Sequence, residues 1–210
     1  MMVKVCGITR REDALVAVNA GASAIGFIFY PKSPRYITPE RAAEIGEGLN
    51  VWKVGIFVQE DPATIEILMK TAHLDVAQIY GGEALLNRRV WRAIRMPLPA
   101  GAPVNDINCE ALLIDGLANG QTFDWSGAKG LSGPLANAHG SEELLSRDRK
   151  GAVIVAGGLD ASNVAEAIRI ARPWGVDASS KLETAPGIKD HEKVKAFVAA
   201  ALAAGKEYAC

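Results

Sequence analysis

The sequence predicts one α/β domain folded as a (β/α)8 TIM barrel. Three observations point there. Short apolar runs rich in Val, Ile and Ala recur eight times through the 210 residues. Most are continuous rather than alternating, as parallel strands covered on both faces require. Helical patterns with capping residues lie between most of them. The spacing leaves about 26 residues per unit, near the short end of the size range for this barrel.

Strands are predicted near Val3–Ile8, Ala24–Phe29, Trp52–Val58, Asp75–Tyr80, Val90–Met96, Ala111–Asp115, Ala152–Ala156 and Gly175–Ser179. The first helix is Arg11–Ala20, with Ala14, Leu15 and Val18 on one stripe. Thr38-Pro39 opens the second, the threonine as N-cap and the proline in the first turn. Asp61-Pro62 does the same for Ala63–Ala72. Asp160 or Ser162 caps Val164–Ala171, and Asp190 or His191 opens Glu192–Ala204. Two stretches fit the repeat poorly. Between Gly81 and Val90 only Glu83–Asn87 can turn, which shortens the fourth helix to about one turn. Ser132–Lys150 is polar extra chain before the seventh strand, read as a surface excursion with a short helix near Ser141–Ser146. An open doubly wound sheet is the alternative architecture. It would carry a Gly-rich fingerprint after its first strand, and Cys6-Gly7-Ile8-Thr9 is not one.

Composition narrows the function. The formal net charge of −1 supplies no basic field for nucleic acid or an anionic membrane. No apolar run approaches the ~18 residues of a membrane span. Met1-Met2-Val3-Lys4 lacks the apolar core of a signal peptide, so the expected location is the cytoplasm. The three cysteines, Cys6, Cys109 and Cys210, suit reduced thiols better than a disulfide framework. His73, His139 and His191 form no ligand-spaced cluster with them, so no metal is expected.

Candidate chemistry sits where strands end. Lys4 and Cys6 share one face of the first strand, because side chains alternate. That presents the thiol at a rim, although a cysteine in an apolar strand is also a common small core residue. Gly157-Gly158 closes the seventh strand and Ser179-Ser180 the eighth. Loops after these strands often hold phosphate through free backbone N–H groups. The same residues read equally as tight turns and helix caps, and both readings hold together. Asp124 reads, on its own, as an N-cap for a helix starting at Trp125.

Taken in order, the strand ends resemble a known family. They are Lys4-Val5-Cys6-Gly7-Ile8-Thr9, Gly26-Phe27-Ile28-Phe29 running on to Pro34-Arg35-Tyr36, and Val54-Gly55-Ile56-Phe57-Val58. After these come Phe123-Asp124-Trp125, Ala156-Gly157-Gly158-Leu159, Gly175-Val176-Asp177-Ala178-Ser179-Ser180 and Pro186-Gly187-Ile188-Lys189-Asp190. From Val3 to about Phe197 the chain resembles the phosphoribosylanthranilate isomerases of tryptophan biosynthesis. The resemblance implies an Amadori rearrangement of N-(5-phosphoribosyl)anthranilate without metal or cofactor. It implies Cys6 as general base and Asp124 as general acid. Arg35 would hold the anthranilate carboxylate. Gly157, Gly158, Asp177, Ser179 and Ser180 would bind the rest of the substrate. The partner is then a small phosphoribosyl molecule, and the chain a monomer or homodimer. Such a base needs an accessible thiolate, and such an acid needs a carboxyl pKa raised by burial or nearby anions.

The chain departs from the family at three places. Gln78-Ile79-Tyr80-Gly81 stands where the family has Gln-Leu-His-Gly, with Tyr80 expected to point inward beside Gln78. Gly116–Thr122 is shorter than the family's Gly-rich loop. Lys181 replaces the usual glycine after Ser179-Ser180, adding charge near a phosphate but ill suited to a positive φ. Two other functions compete: a relative acting on another phosphosugar, because fold alone does not set substrate, and a non-catalytic phospholigand-binding protein. Retention of both Cys6 and Asp124 favours catalysis.

Overall fold

Eight parallel strands close into a barrel in chain order, each hydrogen-bonded to the next and β8 back to β1. The structure is a computed structural model that describes residues 1–81, 88–97, 109–116, 122, 124–128 and 152–207. The strands are β1 (Met2–Val5), β2 (Ala24–Ile28), β3 (Trp52–Phe57), β4 (Val76–Tyr80), β5 (Arg89–Arg95), β6 (Ala111–Asp115), β7 (Ala152–Val155) and β8 (Gly175–Ala178). Helices α1 (Arg11–Ala20), α2 (Pro39–Gly46), α3 (Pro62–Thr71), α4 (Val164–Ala171) and α5 (His191–Glu207) follow β1, β2, β3, β7 and β8. The predicted short fourth helix at Glu83–Asn87 and the extra segment Ser132–Lys150 lie outside the described residues.

Alternation along each strand builds two cores. Outward residues such as Val3, Val5, Phe27, Phe57, Ile114 and Val155 pack under the helices. Inward residues such as Met2, Ala24, Trp52, Val54, Trp91, Leu113 and Ile154 fill the barrel axis. Each large side chain buried this way stabilises the fold by about 1.5–3 kcal/mol. Both cores need apolar side chains, so the strands read as continuous apolar runs.

The capping predictions hold at α2 and α3, where Thr38 accepts from the Arg41 N–H and Asp61 from the Thr64 N–H. Asp190 caps α5 by accepting from the N–H groups of Glu192 and Lys193. At α4 the structure differs from both candidates. The N-cap position is Asn163, and Asp160 binds the Ser162 N–H and hydroxyl one turn earlier. Beyond β8 a small antiparallel hairpin, β9 (Glu183–Ala185) and β10 (Ile188–Lys189), precedes α5. Asp13, its side chain fully buried on α1, secures this hairpin. It accepts from the Lys189 N–H at 3.1 Å, lies 2.9 Å from His191 Nε2, and is held in place by two bonds from Arg10. No strand pattern in the sequence marks the hairpin, because its strands are only three and two residues long.

Candidate active site

At the C-terminal end of the barrel the chain leaves a cavity of about 330 Å³. Cys6 lines it from the end of β1, and Ile28 and Ile56 from β2 and β3. Gln78, Tyr80, Arg95 and Asp115 line it from β4, β5 and β6. The side of β7 and β8 adds Gly157, Gly158, Asp177, Ser179, Ser180 and Lys181, and Arg35 reaches in from the loop after β2. Seven of the eight sequence-predicted site residues therefore meet around one space.

Backbone geometry explains the meeting. Gly7 has φ +73°, and a Cβ there would lie 2.7 Å from Arg35 Cδ and 3.0 Å from Ser179 Oγ. Only a glycine lets the first loop sit beneath those two side chains. Gly157 has φ +89°, and a Cβ would fall 2.2 Å from the Gly116 backbone nitrogen, so the β6 and β7 ends pack backbone to backbone. Lys181 does not share this need. It sits in a 3-10 turn, Ser180–Leu182, and is not among the described non-glycine residues with positive φ, so it brings its charge to the cavity without strain.

The electrostatics are those of buried, coupled groups. Lys4 Nζ lies 2.7 Å from Asp177 Oδ2 inside the barrel. Burial opposes the Lys4 charge, but Asp177 more than offsets this and holds the amine cationic. Burial raises the Cys6 thiol above its usual range, against the pull of Lys4. Asp115 is likewise raised by burial, although the Tyr80 hydroxyl donates to it at 3.0 Å. Tyr80 itself stays protonated, because burial and the neighbouring Asp115 push it well above 10.0. It points inward with Gln78, whose amide donates to its hydroxyl at 3.4 Å. Gln78 Oε1 and Asp177 Oδ1 are buried acceptors with no protein donor among the described residues.

Arg35 carries a partner the sequence did not reveal. Its Nε and one terminal nitrogen bind Glu183 in a fork, at 2.8 Å each to the nearer oxygens. Glu183 also binds the Lys189 ammonium at 2.8 Å. Burial alone would lift Glu183, yet Arg35 and Lys189 hold it below the usual carboxylate range. The hairpin thus fixes the guanidinium plane of a residue that also lines the cavity.

Asp124 is the residue the structure does not bring in. It is exposed, does not line the cavity, and accepts from the Ser126 N–H at 2.9 Å. The raised carboxyl pKa expected there is corrected. Ser126, through hydroxyl and N–H, holds Asp124 below its ordinary value. The N-cap geometry accounts for this.

The family model for N-(5'-phosphoribosyl)anthranilate isomerase matches residues 3–200. The chain belongs to the phosphoribosylanthranilate isomerase family. An N-(5'-phosphoribosyl)anthranilate isomerase of Solibacter usitatus is 46% identical, over 97% of this chain and 98% of that one. One from a Geobacter species is 41% identical, over 95% and 97%. The solved isomerase of Thermotoga maritima superposes with a TM-score of 0.80 at 36% identity, covering 97% of this chain and 99% of the other. An isomerase solved in complex with reduced 1-(o-carboxyphenylamino)-1-deoxyribulose 5-phosphate gives 0.77 at 35% identity, over the same shares. Sequence reasoning gave no role to Lys4, Asp115 or Glu183. The signal for Lys4 and Asp115 was position alone, each being a charged residue in an otherwise apolar strand, and Glu183, in the short β9, had none.

Proposed function

We propose that this isomerase converts N-(5-phosphoribosyl)anthranilate to 1-(2-carboxyphenylamino)-1-deoxyribulose 5-phosphate with Cys6 as general base and Asp124 as general acid. The acid protonates the furanose ring oxygen as the C1–O bond breaks and the amine lone pair forms an iminium. The iminium acidifies the proton on C2, and the base removes it to give the enolamine, which tautomerises to the ketose. Positioned acid and base groups contribute about 10²–10⁴-fold each.

The observation that carries the base and substrate-binding part of this reading is the convergence of the Cys6 thiol, the Gly157-Gly158 and Ser179-Ser180 turns and the buried acceptor of Asp177 on one cavity. The role of Asp124, whose carboxyl lies outside that lining, rests on the family resemblance of Phe123-Asp124-Trp125 alone. The turns offer backbone and hydroxyl donors for phosphate. Gln78 and Asp177 offer acceptors for ribose hydroxyls. The in-plane N–H groups of Arg35 not engaged by Glu183 offer donors for the anthranilate carboxylate.

Cys6 is raised and Asp124 lowered, the opposite of the protonation states that the first steps use. Turnover then runs through the small fraction carrying thiolate and protonated carboxyl together. Its pH profile should be a plateau, with the acidic limb set by Asp124 and the basic limb by Cys6. The deciding experiment is a fluorescence assay of substrate consumption by the purified chain, repeated on Cys6→Ser and Asp124→Asn. Full turnover in both variants would remove these roles.

For assembly, the reading is monomer or homodimer, supported by a Thermotoga maritima structure of monomers of an isomerase described as dimeric. Light scattering on the purified chain decides between them. A biosynthetic reaction on a phosphorylated sugar supports the cytoplasm as location, which cell fractionation tests.

A further inference from the structure

Lys4 is a fully buried cation to which the reaction as written gives no task. It lies two residues before Cys6 on the inward face of β1, and the register sets it directly beside Asp177 on β8. A buried ion pair is a poor stabiliser, since desolvating both charges costs about as much as their attraction returns. An ammonium has three donors, and Asp177 Oδ2 takes one of them. Asp177 and Cys6 also border the same cavity, with the Lys4 ammonium bonded to the first and the Lys4 side chain on the same inward face as the second, two residues before it.

We propose that Lys4 is a positioning residue for the base: its ammonium holds the Cys6 thiolate, and Asp177 anchors the ammonium. The proposal rests on the reading of Cys6 as the base. When the thiol ionises, its proton leaves to cavity water, sulfur becomes the anion and Lys4 remains the cation beside it. Cys6 is then free to take the C2 proton of the substrate.

The other groups facing Cys6 do not replace Lys4. Asp177 on β8 opposes the thiolate. Lys189 on β10 favours it, but is committed to Glu183 at 2.8 Å and the Ser179 carbonyl at 3.2 Å. Arg35 is forked onto Glu183. The Tyr80 hydroxyl on β4 carries no charge, as it stays protonated. The pull of Lys4 on the thiol is the largest among these neighbours, second only to the burial that opposes ionisation.

The test is the pH dependence of Cys6 alkylation by iodoacetamide in the intact chain. It is followed on the Cys6 peptide by mass spectrometry, so that Cys109 and Cys210 do not contribute. Lys4→Met should move the titration up by at least about one pH unit, which is roughly tenfold slower alkylation at neutral pH. Lys4→Arg keeps the charge and should restore most of the rate. If Lys4→Met does not fold, because Asp177 is left without a cation, Lys4→Gln serves. Its amide still donates to Asp177 and carries no charge. A folded variant with lowered melting temperature and an unmoved titration assigns Lys4 a structural role and overturns the proposal. Cys6→Ser with normal turnover would instead overturn the base assignment, and with it the role of Lys4 in turnover, while the titration still decides the Lys4–thiolate contact.

Discussion

The two ends of the barrel are built from the same strands and do opposite work. At the N-terminal end, Trp52, Trp91 and Trp174 fill the axis with centroids 5.8–5.9 Å apart, two of the three pairs edge-on. At the C-terminal end the same inward positions become Cys6, Gln78, Tyr80, Asp115 and Asp177 around an open cavity. Lys4 and Asp177, paired in register across β1 and β8, mark the change. Packed indoles have nothing to ionise and little room to move. Buried polar groups keep unsatisfied acceptors and shifted pKa values, which cost stability and are retained where chemistry uses them. Stability and reactivity are thus separated along one axis.

That separation should break most sharply at Trp91. Trp91→Ala empties the closed end and should cost about 3–5 kcal/mol of stability, read from denaturant unfolding. Trp91→Phe should cost less than Trp91→Ala, since part of the ring packing is kept and the indole nitrogen has no acceptor to lose among the described residues. A Trp91→Ala enzyme that folds normally but loses turnover selectively would join the two ends and undo the comparison.

At the open end the largest effect should come from Cys6→Ser, with turnover lower by at least about 10²-fold, or about 2.7 kcal/mol of barrier. Its melting temperature should stay near that of the parent. Asp124→Asn sharpens the point, because asparagine caps as well as aspartate. Turnover should fall while unfolding is unmoved; an unchanged rate would leave Asp124 as a cap only.

Asp13 sits between the extremes, a buried carboxylate that braces the site from outside. Burial would raise it, but Arg10, the Lys189 N–H and His191 together lower it. A carboxyl lowered by folding stabilises the protein above its unfolded pKa of about 3.9. That stability is lost as pH falls through the lower folded value. Asp13→Asn should therefore cost about 1–3 kcal/mol at neutral pH and flatten the acid limb of stability against pH. Thermal melts between pH 7 and pH 2 check both.

The smallest effect should be at Lys181, whose exposed ammonium borders the cavity beside Ser180. Lys181→Ala should raise KM about two- to fivefold, less at high salt, with kcat unchanged. A KM that does not move with this substitution or with salt would put phosphate elsewhere.

Much of this was legible in the chain. The strands were, because parallel strands buried on both faces leave continuous apolar runs. So were Thr38-Pro39 and Asp61-Pro62, because a cap is a local hydrogen bond within four residues. The cavity set Cys6, Gly157, Gly158, Asp177, Ser179 and Ser180 was legible because a closed barrel delivers every strand end to one rim. Arg35 was legible as a site residue but not as half of a fork, since Glu183 lies 148 residues away. The bracing of the hairpin by Asp13 was hidden for the same reason.

By itself, then, the sequence determined the periodicity, the caps and the order in which chemistry-bearing residues reach the rim, all properties of neighbours along the chain. The tertiary structure alone decided which charges are buried and what they face. It set Lys4 against Asp177, lifted Cys6 and Asp115, and left Asp124 in solvent with Ser126. Desolvation and Coulomb interactions depend on distance through space, and that distance exists only once the barrel has closed.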